Sequence, residues 1–258
     1  MRRVVTWAVP ALLALGVWAC HSEKNEVAIM TYNIRHGVGM DGFLNLNRTV
    51  AAIQSFNPDI LILNEVDEGT QRSFFVRQAD SLGELLGMRA RFGRSIDYDG
   101  GQYGNALLSV YPILDFQVID LSVDAPLEGR SVFLAELLVF EDTLYVMGAH
   151  LGLQEEEQSQ QVETILRSLP GSENIILAGD FNFTPETASY QAIQSKLLDG
   201  IQAVDRAYFS FPSDQPDRRI DYVFIGKGLH PLRADVLNDP LLRAASDHLP
   251  QQLIVQIK

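Results

Sequence analysis

Apolar residues along this chain come in short dense runs, each closed by a polar residue. Val27-Ala28-Ile29-Met30 leads into Thr31-Tyr32-Asn33, and Ile60-Leu61-Ile62-Leu63 into Asn64-Glu65. Leu144-Tyr145-Val146-Met147-Gly148-Ala149 ends at His150, and Ile175-Ile176-Leu177-Ala178 at Gly179-Asp180. Runs of this kind, without polar alternation, predict strands covered on both faces. Further strands are predicted at Tyr103–Ser109, closed by Tyr111-Pro112, and at Val132–Phe140, Ile220–Ile225 and Leu253–Ile257. Glu141-Asp142 predicts a hairpin turn. Helical spacing appears in Leu46, Val50 and Ile53, stopped by Asn57-Pro58, and in Phe75, Ala79, Leu82 and Leu86, ended at Gly87. It appears again in Val162, Ile165, Leu166 and Leu169, within a helix over Glu155–Leu169.

Two segments share one layout. Strand, Asn33, helix, strand, Glu65 repeats as strand, His150, helix, strand, Asp180, with spacings 65 − 33 = 32 and 180 − 150 = 30. The pattern predicts two similar α/β halves whose sheets pack face to face with helices outside. No linker or composition break divides residues 27–258, so one domain is expected there.

The N-terminus is of another kind. Arg2 and Arg3 precede an apolar stretch from Val4 to Val17, then Trp18-Ala19-Cys20. A basic start, a short apolar stretch and a small residue before the cut site read as a secretory signal. Val17-Trp18-Ala19-Cys20 resembles a lipobox. Residues 1–19 are then a lipoprotein signal peptide, Cys20 carries lipid, and residues 20–26 tether the domain to a membrane of the bacterial envelope. Plain export with an incidental Cys20, the only cysteine in the chain, is the alternative. The formal charge of −13 becomes 18 − 33 = −15 once Arg2 and Arg3 are removed. An acidic chain is poorly suited to nonspecific nucleic-acid binding, which rests on basic groups displacing counterions.

Polar residues that close or flank the apolar runs form a set: Asn33, Glu65, His150, Asp180, Asn182, Asp221, Asp247 and His248. Any one of them alone reads as a turn cap or a strand-end residue. Asp180 and Asn182 are placed on one face by the two-residue period of a strand. Converging at strand ends, the set makes an oxygen-rich site with two imidazoles, which selects magnesium, manganese or calcium over softer metals.

In chain order, Thr31-Tyr32-Asn33-Ile34-Arg35, Leu63-Asn64-Glu65-Val66-Asp67, Tyr103-Gly104-Asn105-Ala106, Ala149-His150-Leu151-Gly152, Gly179-Asp180-Phe181-Asn182, Arg219-Ile220-Asp221-Tyr222 and Ser246-Asp247-His248 resemble the successive motifs of the endonuclease/exonuclease/phosphatase superfamily. The resemblance spans residues 27–258 and implies a four-layered α/β/β/α sandwich that hydrolyses a phosphate ester with Mg2+, with Mn2+ as the alternative. It makes Glu65 the principal metal ligand, with Asn33 and Asp247 in or beside the metal shell. Asp221 and His248 match an Asp–His pair, and Asp180 the residue that orients water or assists the leaving group. Asn182 and His150 match donors to phosphoryl oxygens. Asn64 departs from the pattern, which has Gln before the metal-binding Glu. Whether His248 acts as a base or as a protonated phosphate ligand stays open.

Arg35 and His36 either contact substrate or cover the first loop, and Asn105 either supports the phosphate site or makes a turn. Arg130 is either a phosphate contact without a definite placement or, the favoured reading, a solvated arginine. Substrate choice is expected in the loops Gly37–Asn45, Gly93–Tyr103 and Tyr208–Asp217. Three readings follow. The first is an envelope phosphoesterase, expected as a monomer, acting on a small phosphorylated metabolite or lipid head group. The second is a secreted nuclease, and the third a noncatalytic surface binding protein on the same fold.

Overall fold

The computed structural model describes residues 25–123, 127–204, 208–235 and 239–258. Residues 1–24, and with them the leader, Cys20 and most of the tether, lie outside the described residues. The strands are β1 (Glu26–Asn33), β2 (Ile60–Glu68), β3 (Arg89–Tyr98), β4 (Gly101–Ser109), β5 (Ile113–Asp120), β6 (Ser131–Val139), β7 (Asp142–His150), β8 (Ile175–Asp180), β9 (Leu198–Asp199), β10 (Asp221–Ile225), β11 (Leu229–Asp235) and β12 (Gln251–Ile257). The helices are α1 (Leu46–Gln54), α2 (Gln78–Leu86), α3 (Glu155–Arg167), α4 (Ala188–Gln194), α5 (Gly200–Ala203) and α6 (Pro240–Ala245). One six-stranded sheet has the order β11-β12-β1-β2-β4-β3, and the other β5-β6-β7-β8-β10-β9.

The dense apolar runs explain the layering. In β2, Ile60 and Ile62 point into the space between the sheets, with Leu107, Phe133, Val146, Ile176 and Val223. Leu61 and Leu63 point the other way, against Ile53, Ala79, Leu82 and Leu242 of α1, α2 and α6. In β8, Ile176 and Ala178 face the central core, while Ile175 and Leu177 pack with Val162, Ile165, Tyr190 and Ile193 of α3 and α4. A strand apolar on both faces needs a layer on each side. The result is the α/β/β/α sandwich.

The internal repeat is present in the register. β1 and β2 are parallel neighbours with Asn33 opposite Asn64, and β7 and β8 are parallel neighbours with His150 opposite Asp180. Each pair ends its strands at one edge and leaves polar side chains there.

Two expectations are corrected. Phe75 does not start the second helix. Its backbone is left-handed (φ 60°) and its ring is exposed, and the helix begins at Gln78. The cause is local: the buried Asp67 carboxylate accepts hydrogen bonds from Thr70, Arg72 and Ser73 and winds residues 69–76 into a tight turn. Gly93–Tyr103 is not a free loop but the greater part of the β3–β4 hairpin, turned at Asp99-Gly100, both with positive φ.

Gly179 is the one glycine on which the site depends. Its φ is +144°, and a Cβ there would lie 1.9 Å from the Ala149 carbonyl oxygen. No side chain fits without parting β7 from β8. Gly179→Ala is expected to cost about 2 kcal/mol or more through backbone strain and overpacking, read as a lower midpoint in urea unfolding monitored by circular dichroism.

Candidate active site

The parallel strands β1, β2, β7 and β8 end at the same edge at which β10 begins. Asn33, His150 and Asp180 are last residues of their strands, and Asp221 is a first residue. Asp247 and His248 lie in the turn between α6 and β12. Glu65 reaches the same edge by a β-bulge. Between Leu63↔Ala106 and Val66↔Gly104 the bulged strand carries two residues against one, and Glu65 is left-handed (φ 57°). The bulge re-aims its carboxylate.

Asp180 is at the centre. Its Oδ2 accepts a hydrogen bond from Asn33 Nδ2 at 2.9 Å and lies 3.6 Å from both His150 Nε2 and His248 Nε2. Its Oδ1 accepts from the Asn182 amide at 3.0 Å. One oxygen thus closes the turn and the other faces the site, so the turn-cap reading and the functional reading both hold. Asn182 is not placed by strand alternation, because β8 has already ended; the Asp180 cap and a left-handed backbone (φ 53°) place it. One N–H of its amide goes to the Leu151 carbonyl, 3.0 Å away.

His248 Nδ1 lies 2.9 Å from Asp221 Oδ2, and the Phe211 ring packs against the imidazole with centroids 4.8 Å apart. Burial disfavours the charged imidazole, but the Asp221 and Asp180 carboxylates outweigh it and push its pKa up to about 10. Burial also raises Asp180, to about 7, against the pull of His248. His150 moves the other way: burial first, then the Arg130 charge, hold it well below the ordinary histidine range, so it is neutral. Glu65 is raised by burial, with Asp247 adding to the effect.

Asn33 joins the expected metal ligands to this centre. Its Nδ2 also donates to Glu65 Oε1 at 3.1 Å, and Ser246 Oγ ties its carbonyl to the turn that carries Asp247. Arg35 lies on that side, with Nε 3.7 Å from Asp247 Oδ2. His36 is left-handed (φ 44°), and burial lowers its pKa to about 4. Its carbonyl accepts from Gln78, so it also pins the first loop to α2. Asn105 is buried within β4 rather than in a turn. Its amide is committed to Asn64 and to the Ser131 carbonyl, which makes it a support beneath the site.

Sequence reasoning gave no role to Asn64 or Tyr103 and no placement to Arg130. Asn64, wholly buried, donates to the Ala149 carbonyl at 2.9 Å and accepts from the Asp180 amide at 3.0 Å, linking the two sheets. Tyr103 is buried near Glu65 and Arg130, whose charges act on its hydroxyl. Arg130 is not solvated: it is 9% exposed, and its Nη1 lies 3.2 Å from His150 Nδ1. Its place one residue before β6, beside the end of β7, was the only available signal.

The profile of the endonuclease/exonuclease/phosphatase family matches residues 30–248. The chain belongs to this family. It is 32% identical over 253 residues to the uncharacterized protein YbhP of Escherichia coli K12, covering 89% of this chain and 96% of that one. The fold is shared with a family member from Beutenbergia cavernae (TM-score 0.76, 23% identity, 90% of this chain and 72% of that chain). It is also shared with a mannosyl-6-phosphatase of Bacteroides thetaiotaomicron (TM-score 0.72, 20% identity, 89% and 99%) and with the catalytic domain of human Nocturnin (TM-score 0.72, 21% identity, 91% and 96%).

Hydrolysis in the endonuclease/exonuclease/phosphatase family depends on a divalent metal. The residues here fit one. Carboxylate oxygens of Asp180 and Asp221 lie within 4.8 Å of each other beside His248, and Asp221 Oδ1 is buried without a hydrogen-bond partner among the described residues. Glu65, whose charge Asp247 disfavours, and Asp247 itself add two more hard oxygen donors.

The raised pKa of His248 gives a signed prediction for the chelator-treated protein. The stabilisation from its charged form is complete below its ordinary pKa of 6.5 and is lost as pH rises through about 10. Asp221→Asn removes the neighbouring carboxylate and is expected to bring the imidazole titration down toward 6.5. Two-dimensional NMR of the histidine ring nitrogens reads both values.

Proposed function

We propose that this chain is a magnesium-dependent phosphoesterase, with manganese as an alternative metal. Water attacks phosphorus directly, on a small phosphorylated metabolite or lipid head group in the bacterial envelope. The observation that carries this reading is Asp180 Oδ2 set between two imidazoles, 3.6 Å from each.

Glu65, with Asn33 and Asp247 beside it, would hold the cation. A divalent ion bound there supplies Lewis acidity at a phosphoryl oxygen. The chain does the rest. Asp180, at about 7, is matched to taking a proton from water near neutral pH. His248, kept protonated by Asp221, is a charged donor to a phosphoryl oxygen, and its raised pKa supports the role of phosphate ligand over that of base. Neutral His150 offers one ring N–H, and Asn182 its remaining amide N–H. Donors placed where charge develops are each worth about 10²–10³ in rate.

The acidic charge weighs against the nuclease reading, and a full set of competent side chains against a noncatalytic one. The mannosyl-6-phosphatase among the fold neighbours is in keeping with a small phosphorylated substrate. We place the protein on the envelope as a monomer, anchored by lipid on Cys20.

The test is a panel of phosphomonoesters, phosphodiesters, sphingomyelin and DNA, with and without magnesium. Turnover of at least one ester is expected, with kcat/KM reduced about 10³-fold or more in Asp180→Asn and in His248→Ala. Wild-type turnover no greater than that of the variants across the panel sinks the enzymatic reading. Separately, Cys20→Ser is expected to move the protein from the membrane fraction to the soluble fraction of lysed cells. Retention in the membrane fraction overturns the lipid anchor.

A further inference from the structure

Arg130 is the one buried arginine that touches this centre, and its bonding is incomplete. It precedes β6, where Ser131 leads into Val132 opposite Ala149, so its side chain runs alongside the end of β7. Nη1 lies 3.2 Å from His150 Nδ1 and 3.1 Å from Glu128 Oε1. Nε is buried and has no hydrogen-bond partner among the described residues. The comparison with the other buried arginine is informative. Arg219 Nε is likewise buried without a partner among the described residues, but Arg219 Nη2 sits 2.6 Å from both carboxylate oxygens of the fully buried Asp199, which neutralises the charge in place. Glu128 is half exposed, so its ion pair with Arg130 is weakened by solvent and neutralises it less.

A buried, unpaired guanidinium N–H is costly, and Arg130, unlike Arg219, keeps one beside His150 with only a half-exposed carboxylate to balance its charge, where a ligand could pair with it. The side-on edge of guanidinium, which includes Nε, is the edge that grips two oxygens of one anion. The surroundings determine which anion. Glu65, Asp180, Asp221 and Asp247 crowd the floor with negative charge, so a second negative charge on the substrate needs a cation of its own. A terminal phosphate carries about −1.5 to −2 at neutral pH and three non-bridging oxygens. A diester carries one charge and two such oxygens.

We infer that Arg130 binds a non-bridging oxygen of a terminal, doubly charged phosphate, and that it selects phosphomonoesters over phosphodiesters. The inference rests on the phosphoesterase reading for its catalytic consequence, but not for binding. Glu128 holds the guanidinium beside His150 until the phosphate arrives. The phosphate then completes the hydrogen bonding of Nε and shares with His150 the cradle at the end of β7.

The experiment compares full-length wild type with Arg130→Gln and Arg130→Lys. One arm measures kcat/KM with magnesium on p-nitrophenyl phosphate and bis-p-nitrophenyl phosphate. The other measures binding of inorganic phosphate and of dimethyl phosphate at pH 8 by titration calorimetry. In Arg130→Gln the monoester rate is expected to fall at least tenfold more than the diester rate, and phosphate binding at least tenfold more than dimethyl phosphate binding. Arg130→Lys keeps the charge without the fork and is expected to lie between; it also serves if the glutamine variant does not fold. Equal losses on both members of each pair mean that Arg130 acts only by supporting His150, and overturn the inference. So does wild-type preference for the diester. If wild type cleaves neither ester, the phosphoesterase reading fails by itself, and the calorimetric pair still decides on Arg130.

Discussion

Everything at the strand-end edge depends on how the two sheets are registered against each other, and one side chain fixes that registry from within. Asn64 is fully buried where the sheets meet. Its amide donates to Ala149 of β7 and to the Asn105 side chain on β4, and its carbonyl oxygen accepts from the backbone of Asp180 on β8. Three strands besides its own are tied at one point. The site needs this because its parts come from both sheets: Asn33 and Glu65 from one, His150, Asp180 and Asp221 from the other. A slide of 1 Å would part Asn33 from Asp180, now 2.9 Å away. Hydrogen bonds in a dry interior are strong and directional, and a half-satisfied network there is costly, so Asn64 resists such a slide. Asn in place of the longer Gln was visible in the sequence as a departure from the family pattern. Only the structure shows that the position works as a clamp between sheets rather than as a neighbour of the metal.

The middle of the fold was legible and its margins were not. β1, β2, β4, β6, β7, β8, β10 and β12 all carry apolar runs, because each has a strand on both sides and a layer on both faces. β3, β5, β9 and β11 are the four edges of the two sheets. β3 bears Arg89, Arg91 and Arg94, β5 breaks its apolar residues with exposed Asp115, Gln117 and Asp120, β9 is two residues long, and β11 contains Pro231 at a register shift. Each of these features blunts an edge against pairing with another chain. The same features remove the apolar signal by which a strand is read.

The site divides in the same way. Residues closing strong strands, such as Asn33, His150 and Asp180, were found because the apolar run points at them. Arg130 was a candidate phosphate contact that could not be placed, because Glu128-Gly129-Arg130-Ser131 is by itself an ordinary polar turn. Its burial comes from β7 lying alongside, a contact between segments twenty residues apart. The pairing of Asp180 and Asn182 was found for an incomplete reason: an i, i+2 strand period suggested it, while the structure produces it by a side-chain cap on a left-handed residue. Sequence patterns report elements well and report the turns between them poorly, since a turn can place the same side chain through different backbone states.

An acidic protein with an acid-lined floor still has to hold an anionic substrate, and the arrangement of charges resolves this. Burial raises the pKa of Asp180 to about 7, so this carboxylate is only partly ionised near neutral pH, and burial raises that of Glu65 as well. His248 carries a full positive charge in the midst of Asp180, Asp221 and Asp247. His150 stays neutral first because it is buried and then because Arg130 supplies a positive charge on that side. The floor therefore presents one cationic imidazole on the β10 side and one guanidinium on the β7 side, with a carboxylate poised near neutrality between them. A metal at Glu65 would add a third positive centre. Three positive centres around one carboxylate would suit the phosphate substrate proposed above. The chain's overall charge of −13 then acts at longer range, where solvent and salt screen it within about 8–10 Å. Long polyanions, which must lie along the surface, meet that repulsion over their whole length, whereas a small phosphate meets it only in passing.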